Sequence, residues 1–150
     1  MPSLHFQCLT FDQLSLKQLY DLLALRTEVF IVEQNCPFQD EDGKDLMAWH
    51  CLGYDDEEKL VAYTRLFDKD VAYEGFASIG RVVTSHAVRR FGFGKILMHY
   101  SIEQCQRLFG DVPIKIGAQQ YLLHFYESFG FCSTGEEYLE DGIPHVIMVR

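Results

Sequence analysis

The chain has 150 residues, 48% hydrophobic and 23% charged, a size and balance that suit one globular domain over 1-150 and exclude a disordered or fibrous chain. Its formal net charge of -9 argues against a nucleic-acid partner, whose phosphates need a basic surface, and no apolar run approaches the ~20 residues of a membrane span. Five cysteines without a CxxC spacing, behind an opening "MPSLHFQC" that is neither basic nor long and apolar, read as a reduced, cytoplasmic protein.

In chain order, the first strong signal is "SLKQLYDLLALRTEVF". Ser15 and Gln18 stand at capping-box spacing, and Leu16, Leu19, Tyr20 and Leu23 share one helical face, which predicts a helix. "EQNCPFQDEDGKD" combines Pro, Gly and a dense run of acids and amides and reads as an irregular loop. "AWHCLGY" and "KLVAYTRLF" are β-rich runs on either side of "DDEE", the pattern of a hairpin. "ASIGRVVT" is mostly apolar, as a strand buried on both faces would be. From Gly94 the pattern turns helical, with Leu97, Tyr100, Cys105 and Leu108 on one side. "VPIKIGA" reads as another buried strand, "YLLHFYESF" as a short helix stopped by Gly130, and "FCSTGEEYLEDGIPHVIMVR" as two strands around a DG turn. The order is helix, three strands, helix, strand, helix, two strands: a mixed α/β layer fold without repeats or linkers.

The segment "VRRFGFGKIL" at 88–97 places glycines and cations between a buried strand and a helix start. Anions bind at such a place, because the first helical turn has unpaired N–H groups and the positive end of the peptide dipole, and glycine lets a phosphate approach. A P-loop would need glycine at 89 and Ser or Thr after Lys95, and a dinucleotide fingerprint would need glycine where Leu97 stands. Both fail. The remaining pattern, Arg-x-x-Gly-x-Gly on Arg89, Gly92 and Gly94, resembles the pyrophosphate loop of the GNAT superfamily of acetyl-CoA dependent N-acetyltransferases.

Further segments extend the resemblance in the family's order: "IGRVVTS", "KILMHYSIEQC", "VPIKIGAQ" and "FYESFGF". The first half, "LRTEVFIVEQNCPFQDEDGKD", and the tail "YLEDGIPHVIMVR" are similar to the ElaA-like branch, so that the likeness covers nearly the whole chain. It implies a central mixed β-sheet flanked by helices and acetyl-CoA as co-substrate. The loop Arg89, Arg90, Phe91, Gly92, Phe93, Gly94 and Lys95 matches the pyrophosphate cradle, in which the backbone of 92–95 does most of the binding. Arg90 and Phe91 depart from the glycine and polar residue usual there. Val82 and Val83 match the strand end whose main chain runs beside the pantetheine arm and polarises the thioester carbonyl. Gln119 stands near a position where an asparagine often contacts the cofactor.

Tyr126 matches the tyrosine that can protonate the departing thiolate, while an aromatic core residue is the plain structural reading. Attack on a thioester needs a neutral amine and therefore a proton acceptor. Glu33, within "VFIVEQ", is the expected base because apolar neighbours could exclude water and raise its pKa. Asp40 and Asp42 are candidates to bind a cationic acceptor, although a charge run is more often a solvated loop face. His145 resembles a position in the ElaA-like tail that could line the acceptor cleft, whereas His50 and His124 read as structural. "HC" at 50 and 51 has no partner at ligand spacing and "DEDGKD" lacks calcium-loop ligands, so no metal is expected.

The expected activity is transfer of the acetyl group of acetyl-CoA to a primary amine, a small molecule or a peptide, by direct attack in a ternary complex. An acyl-homoserine lactone synthase is similar in "LRTEVF", but the chain is short for one. A non-catalytic acyl-CoA binding module is the alternative from another class. An exposed sheet-edge strand could pair with a second copy to give a homodimer.

Overall fold

The computed structural model describes residues 2–150. Two antiparallel sheets organise it. The first has the order β1-β2-β3-β4, from β1 (His5–Thr10), β2 (Trp49–Tyr54), β3 (Leu60–Phe67) and β4 (Ser78–Thr84). The second has the order β5-β7-β6, from β5 (Lys115–Gln119), β6 (Cys132–Glu140) and β7 (Ile143–Val149). One parallel bridge, Ala77 to Ile114, joins them. The helices are α1 (Leu16–Arg26), α2 (Phe93–Phe109) and α3 (Leu123–Glu127).

Helix α1 starts where the capping box predicts: the Gln18 amide donates to Ser15 Oγ at 3.0 Å and the Ser15 amide donates to Gln18 Oε1 at 2.9 Å. Its inward face is offset from the stripe the leucines suggest, of which Leu19 and Leu23 pack partly against the core. Leu16 and Tyr20 are 87% and 76% exposed, while Leu22, Leu25 and Arg26 are buried. A leucine-rich helix satisfies the same periodicity with two adjacent stripes, and the one carrying Arg26 turns inward because its charge meets buried aspartates. The helix then continues as a π-helical stretch over Thr27–Glu33, which buries Val29.

Central placement explains why all eight residues of β3 are buried. On the α1 side Leu52, Leu60 and Tyr63 pack with Leu22 and Leu25. On the other side Thr64 reaches Ser101 of α2, Oγ1 to Oγ at 2.7 Å. A larger core joins Met98 and Ile102 of α2 to Ile116, Ala118, Val146 and Met148 of the second sheet. Strand β1, which the sequence pattern does not announce, pairs along β2 from His5–Tyr54 to Thr10–Trp49. Two strands expected to be buried on both faces are partly open instead. In β4, Gly80, Arg81 and Val82 are only half-buried, and in β5 burial alternates, because β4 and β5 separate instead of pairing.

The acidic loop is solvated over most of its length, as a charge run usually is, but two of its aspartates turn inward. Asp40 and Asp45 are 2% and 7% exposed. Arg26 Nε donates to Asp40 Oδ2 at 2.7 Å and its Nη1 to Asp45 Oδ1 at 2.8 Å. Arg81 Nε donates to Asp40 Oδ1 at 2.8 Å. Arg65 donates to both oxygens of Asp42 at 2.9 Å and to Asp45 Oδ1 at 3.0 Å. Three arginines and three aspartates thus neutralise one another and seal the loop against β3 and β4.

Burial pushes Asp42 and Asp45 upward, but hydrogen bonds from Arg65 and the Lys44 amide hold Asp42 well below the usual carboxylate range, and Arg26 and Arg65 hold Asp45 down. A carboxylate with a depressed folded pKa adds stability that is complete above its unfolded value of ~4 and is lost as pH falls through the folded value. Stability is therefore expected to hold from about pH 7 to about pH 5 and to fall below about pH 4. Arg26→Met leaves two buried aspartates short of their partner and is expected to cost about 3–5 kcal/mol. Urea unfolding at several pH values measures both.

Candidate active site

Divergence of β4 from β5 makes the site. Ala77 N donates to Pro113 O at 3.0 Å and Lys115 N to Ala77 O at 2.9 Å; beyond this bridge β5 pairs with β7 alone. A register shift between Tyr63 and Arg65 on β3 sets Arg81 and Val82 opposite a single residue, and Arg81 takes φ +48, a left-handed conformation rare for a side-chain-bearing residue. The bulge turns main-chain groups of β4 away from the ladder, toward a cleft of about 830 Å³ lined in part by Val82, Val83 and Gln119.

At one end of the cleft lies the start of α2. The chain leaves β4 through a 3₁₀ turn at His86–Phe91, and Gly92 adopts φ +73 before the helix begins. No side chain caps this end, so the first-turn N–H groups of 93–95 have no partner within the helix. Gly94 lines the cleft, and a Cβ there would sit 3.7 Å from the Phe125 ring. Phe93 is 1% exposed and packs with Val61 and Val88, Phe91 packs against that cluster, and Arg90 lies 4.5 Å over the Phe91 ring. Phe91 and Phe93 are therefore anchors for the turn, and of Phe93 only the main chain remains available to a ligand. That is how the loop tolerates Arg90 and Phe91 in place of smaller residues. Lys95 is exposed on the first turn.

Arg89 and Glu33, expected to act separately, form an ion pair across the cleft from Arg89 Nη1 to Glu33 Oε2, and Arg89 Nη2 also donates to Thr84 O at 3.1 Å. The Glu33 side chain is 37% exposed, so the dry apolar surround expected to make it a base is absent. Asp40, with both carboxylate oxygens held by Arg26 and Arg81, is withdrawn from acceptor binding. Asp42 reaches the cleft, but Arg65 holds both of its oxygens.

Tyr126, on α3, packs edge to face on Phe125 and Phe131 and also lines the cleft, so the core reading and the site reading both hold for its position. Burial, with the nearby Tyr121, pushes its phenol well above the ordinary range. His145 lines the far wall together with Tyr73, Tyr138 and Glu140. Sequence reasoning missed those three, because strand register brings Tyr138 and Glu140 to His145 and only the fold brings Tyr73 beside Tyr138 over Gly117. His50 is fully buried, with Nδ1 2.6 Å from the Tyr63 hydroxyl and Nε2 2.9 Å from Asp45 O, and His124 pairs with Glu127 on the surface. Among the described residues no three His, Cys, Asp or Glu side chains cluster as metal ligands.

Two sheets splayed from one bridge leave a cleft beside an uncapped, glycine-bearing helix start, a place where an anionic group can bind. The comparisons name the class as the acetyltransferases of the GNAT type. Residues 31–150 match the family model described as acetyltransferase (GNAT) domain, and the chain belongs to that family. It is 47% identical over 149 residues to protein ElaA of Escherichia coli, covering 98% of this chain and 96% of that one. Among solved structures, an acyl-CoA N-acyltransferase from Pseudomonas aeruginosa superposes with TM-score 0.90 at 44% identity, covering 97% of this chain and 99% of that one. The crystal structure of Escherichia coli ElaA superposes with TM-score 0.90 at 45% identity, covering 99% of each.

Because Gly92 stands at φ +73 with open space where a Cβ would go, Gly92→Ala meets only backbone strain. It is expected to lower stability by about 1–2 kcal/mol, measured by urea unfolding.

Proposed function

We propose that this protein is a cytoplasmic N-acetyltransferase that moves the acetyl group of acetyl-CoA to the primary amine of a cationic small molecule or peptide, by direct attack in a ternary complex. The observation that carries the reading is the gap between β4 and β5, with the free amides of the α2 start at its edge. The residues fit such a donor. Gly92 and Gly94 leave the approach to the amides open, Lys95 and Arg89 supply positive charge for a diphosphate, and the bulged main chain at Arg81–Val83 offers N–H groups to a thioester carbonyl. When bound, acetyl-CoA supplies the activated acyl group. The protein orients it and keeps water from it.

Tyr126 is read as the acid for the departing thiolate, because it is a hydroxyl-bearing side chain of α3 in the cleft lining. Glu33 is read as the partner of Arg89. The acceptor end carries Tyr73, Tyr138, Glu140 and Asp141, aromatic faces and carboxylates of the kind that favour an ammonium.

The test is release of CoA thiol from acetyl-CoA across a panel of primary amines, with calorimetry for donor binding. Tyr126→Phe is expected to lower kcat by about 100-fold while leaving the acetyl-CoA dissociation constant unchanged. Glu33→Gln is expected to leave kcat within a few-fold of wild type, since it removes an ion-pair partner and not a base. Tight donor binding with no thiol release from any amine would turn the reading into that of a non-catalytic acyl-CoA module.

A further inference from the structure

We infer that His145 is the proton acceptor of the reaction, and that the acceptor amine enters as an ammonium held between His145 Nε2 and the Glu140 carboxylate. The inference rests on the acetyl-transfer reading above.

The His145 ring is 5% exposed and its orientation is set by two contacts. Nδ1 lies 2.7 Å from Ile143 O. A carbonyl oxygen only accepts, so this contact assigns the hydrogen to Nδ1 and leaves Nε2 as the lone-pair nitrogen of the neutral ring. Tyr138, its register partner on β6, stacks on the imidazole with centroids 5.2 Å apart and planes 29° apart. Tyr138 is seated in turn by Gly117 of β5, where any Cβ would fall on the tyrosine hydroxyl. Gln120 Nε2 donates to His145 O at 3.0 Å and ties the strand to the turn before α3.

Nε2 faces Glu140 Oε2 at 3.5 Å. In the neutral ring this sets a lone-pair nitrogen against a carboxylate oxygen, two acceptors that face each other. An ammonium group, with three hydrogens, can donate to both at once. Glu140 is 57% exposed in its side chain, so this seat opens to an arriving amine. The groups around the ring favour a cation. On β6 the titratable neighbours are Tyr138 and Glu140, β5 presents the neutral Gln119 as register partner, and Tyr73 lies beyond Tyr138, close enough to influence it. Lys115, the nearest cation on β5, is turned onto the Tyr73 and Phe76 rings. Other candidate bases are engaged: Glu33 by Arg89, Asp42 by Arg65, and His50 through both ring nitrogens.

The step balances as follows. The ammonium gives one proton to His145 Nε2, and the neutral amine attacks the thioester carbon, forming the C–N bond. The C–S bond breaks with its electron pair on sulfur, which takes the Tyr126 proton. The second proton on the new amide nitrogen returns to the Tyr126 phenolate, and His145 gives its proton to solvent.

His145→Asn tests the assignment, because the asparagine amide can still donate to Ile143 O but offers no basic nitrogen. The probes are a short diamine, a peptide with a free N-terminus and an amino-acid amide, each with acetyl-CoA. The expected result is a fall in kcat for the amine of about 100-fold at neutral pH, with an amine KM within a few-fold of wild type and an unchanged acetyl-CoA dissociation constant. Glu140→Gln, at an exposed position that does not threaten folding, is expected to raise the amine KM and leave donor binding alone. A kcat in His145→Asn within a few-fold of wild type, or an unchanged amine KM in Glu140→Gln, overturns the assignment while the acetyl-transfer reading stands. Wild type that releases no thiol from any amine overturns both.

Discussion

The three-arginine, three-aspartate network holds the first half of the chain in the shape that makes a site. Asp40, Asp42 and Asp45 belong to one loop, Arg26 to α1, Arg65 to β3 and Arg81 to β4. A buried ion pair is a weak source of net stability, since desolvation cancels much of the attraction, but its geometry is demanding. Each guanidinium fork fits only one placement of its carboxylates, so the loop closes over the cleft in one way. The π-helical stretch that follows α1 carries Glu33 to the same wall, opposite Arg89.

Arg81 links this network to the chemistry. Its side chain is drawn back to Asp40 while its backbone stands at φ +48. The ion pair therefore helps maintain a strained bulge whose effect is to free main-chain groups on the cleft side of β4. The same strand is paired only on its β3 side after Ala77, and the space that β5 would have filled is the cleft itself. Stability, strain and site are in this way consequences of one arrangement.

How much of this was legible depended on the range of the interaction concerned. The capping box at Ser15, the DG turn before β7 and the glycine turn before α2 are local, fixed by residues a few positions apart, and the structure has all three. The family likeness was legible for the same reason, since its motifs lie in contiguous segments. The inward face of α1 was not, because Arg26 turns in only when aspartates 14 and 19 positions away are there to meet it. Strand β1 was missed because a short edge strand is made by its partner β2 and has little pattern of its own. Glu33 looked like a base because its sequence neighbours are apolar, yet its spatial neighbour is Arg89, 56 positions on. His145 gains its surroundings from strand register alone.

The single bridge from Ala77 to Ile114 also has a mechanical meaning. The two sheets share that bridge in the main chain and one apolar core under α2, so that only the open ends of β4 and β5 depend on what spans them. Amide hydrogens along those open ends would then exchange at a rate governed by occupancy of the cleft, so that the backbone itself reports whether a ligand is in place.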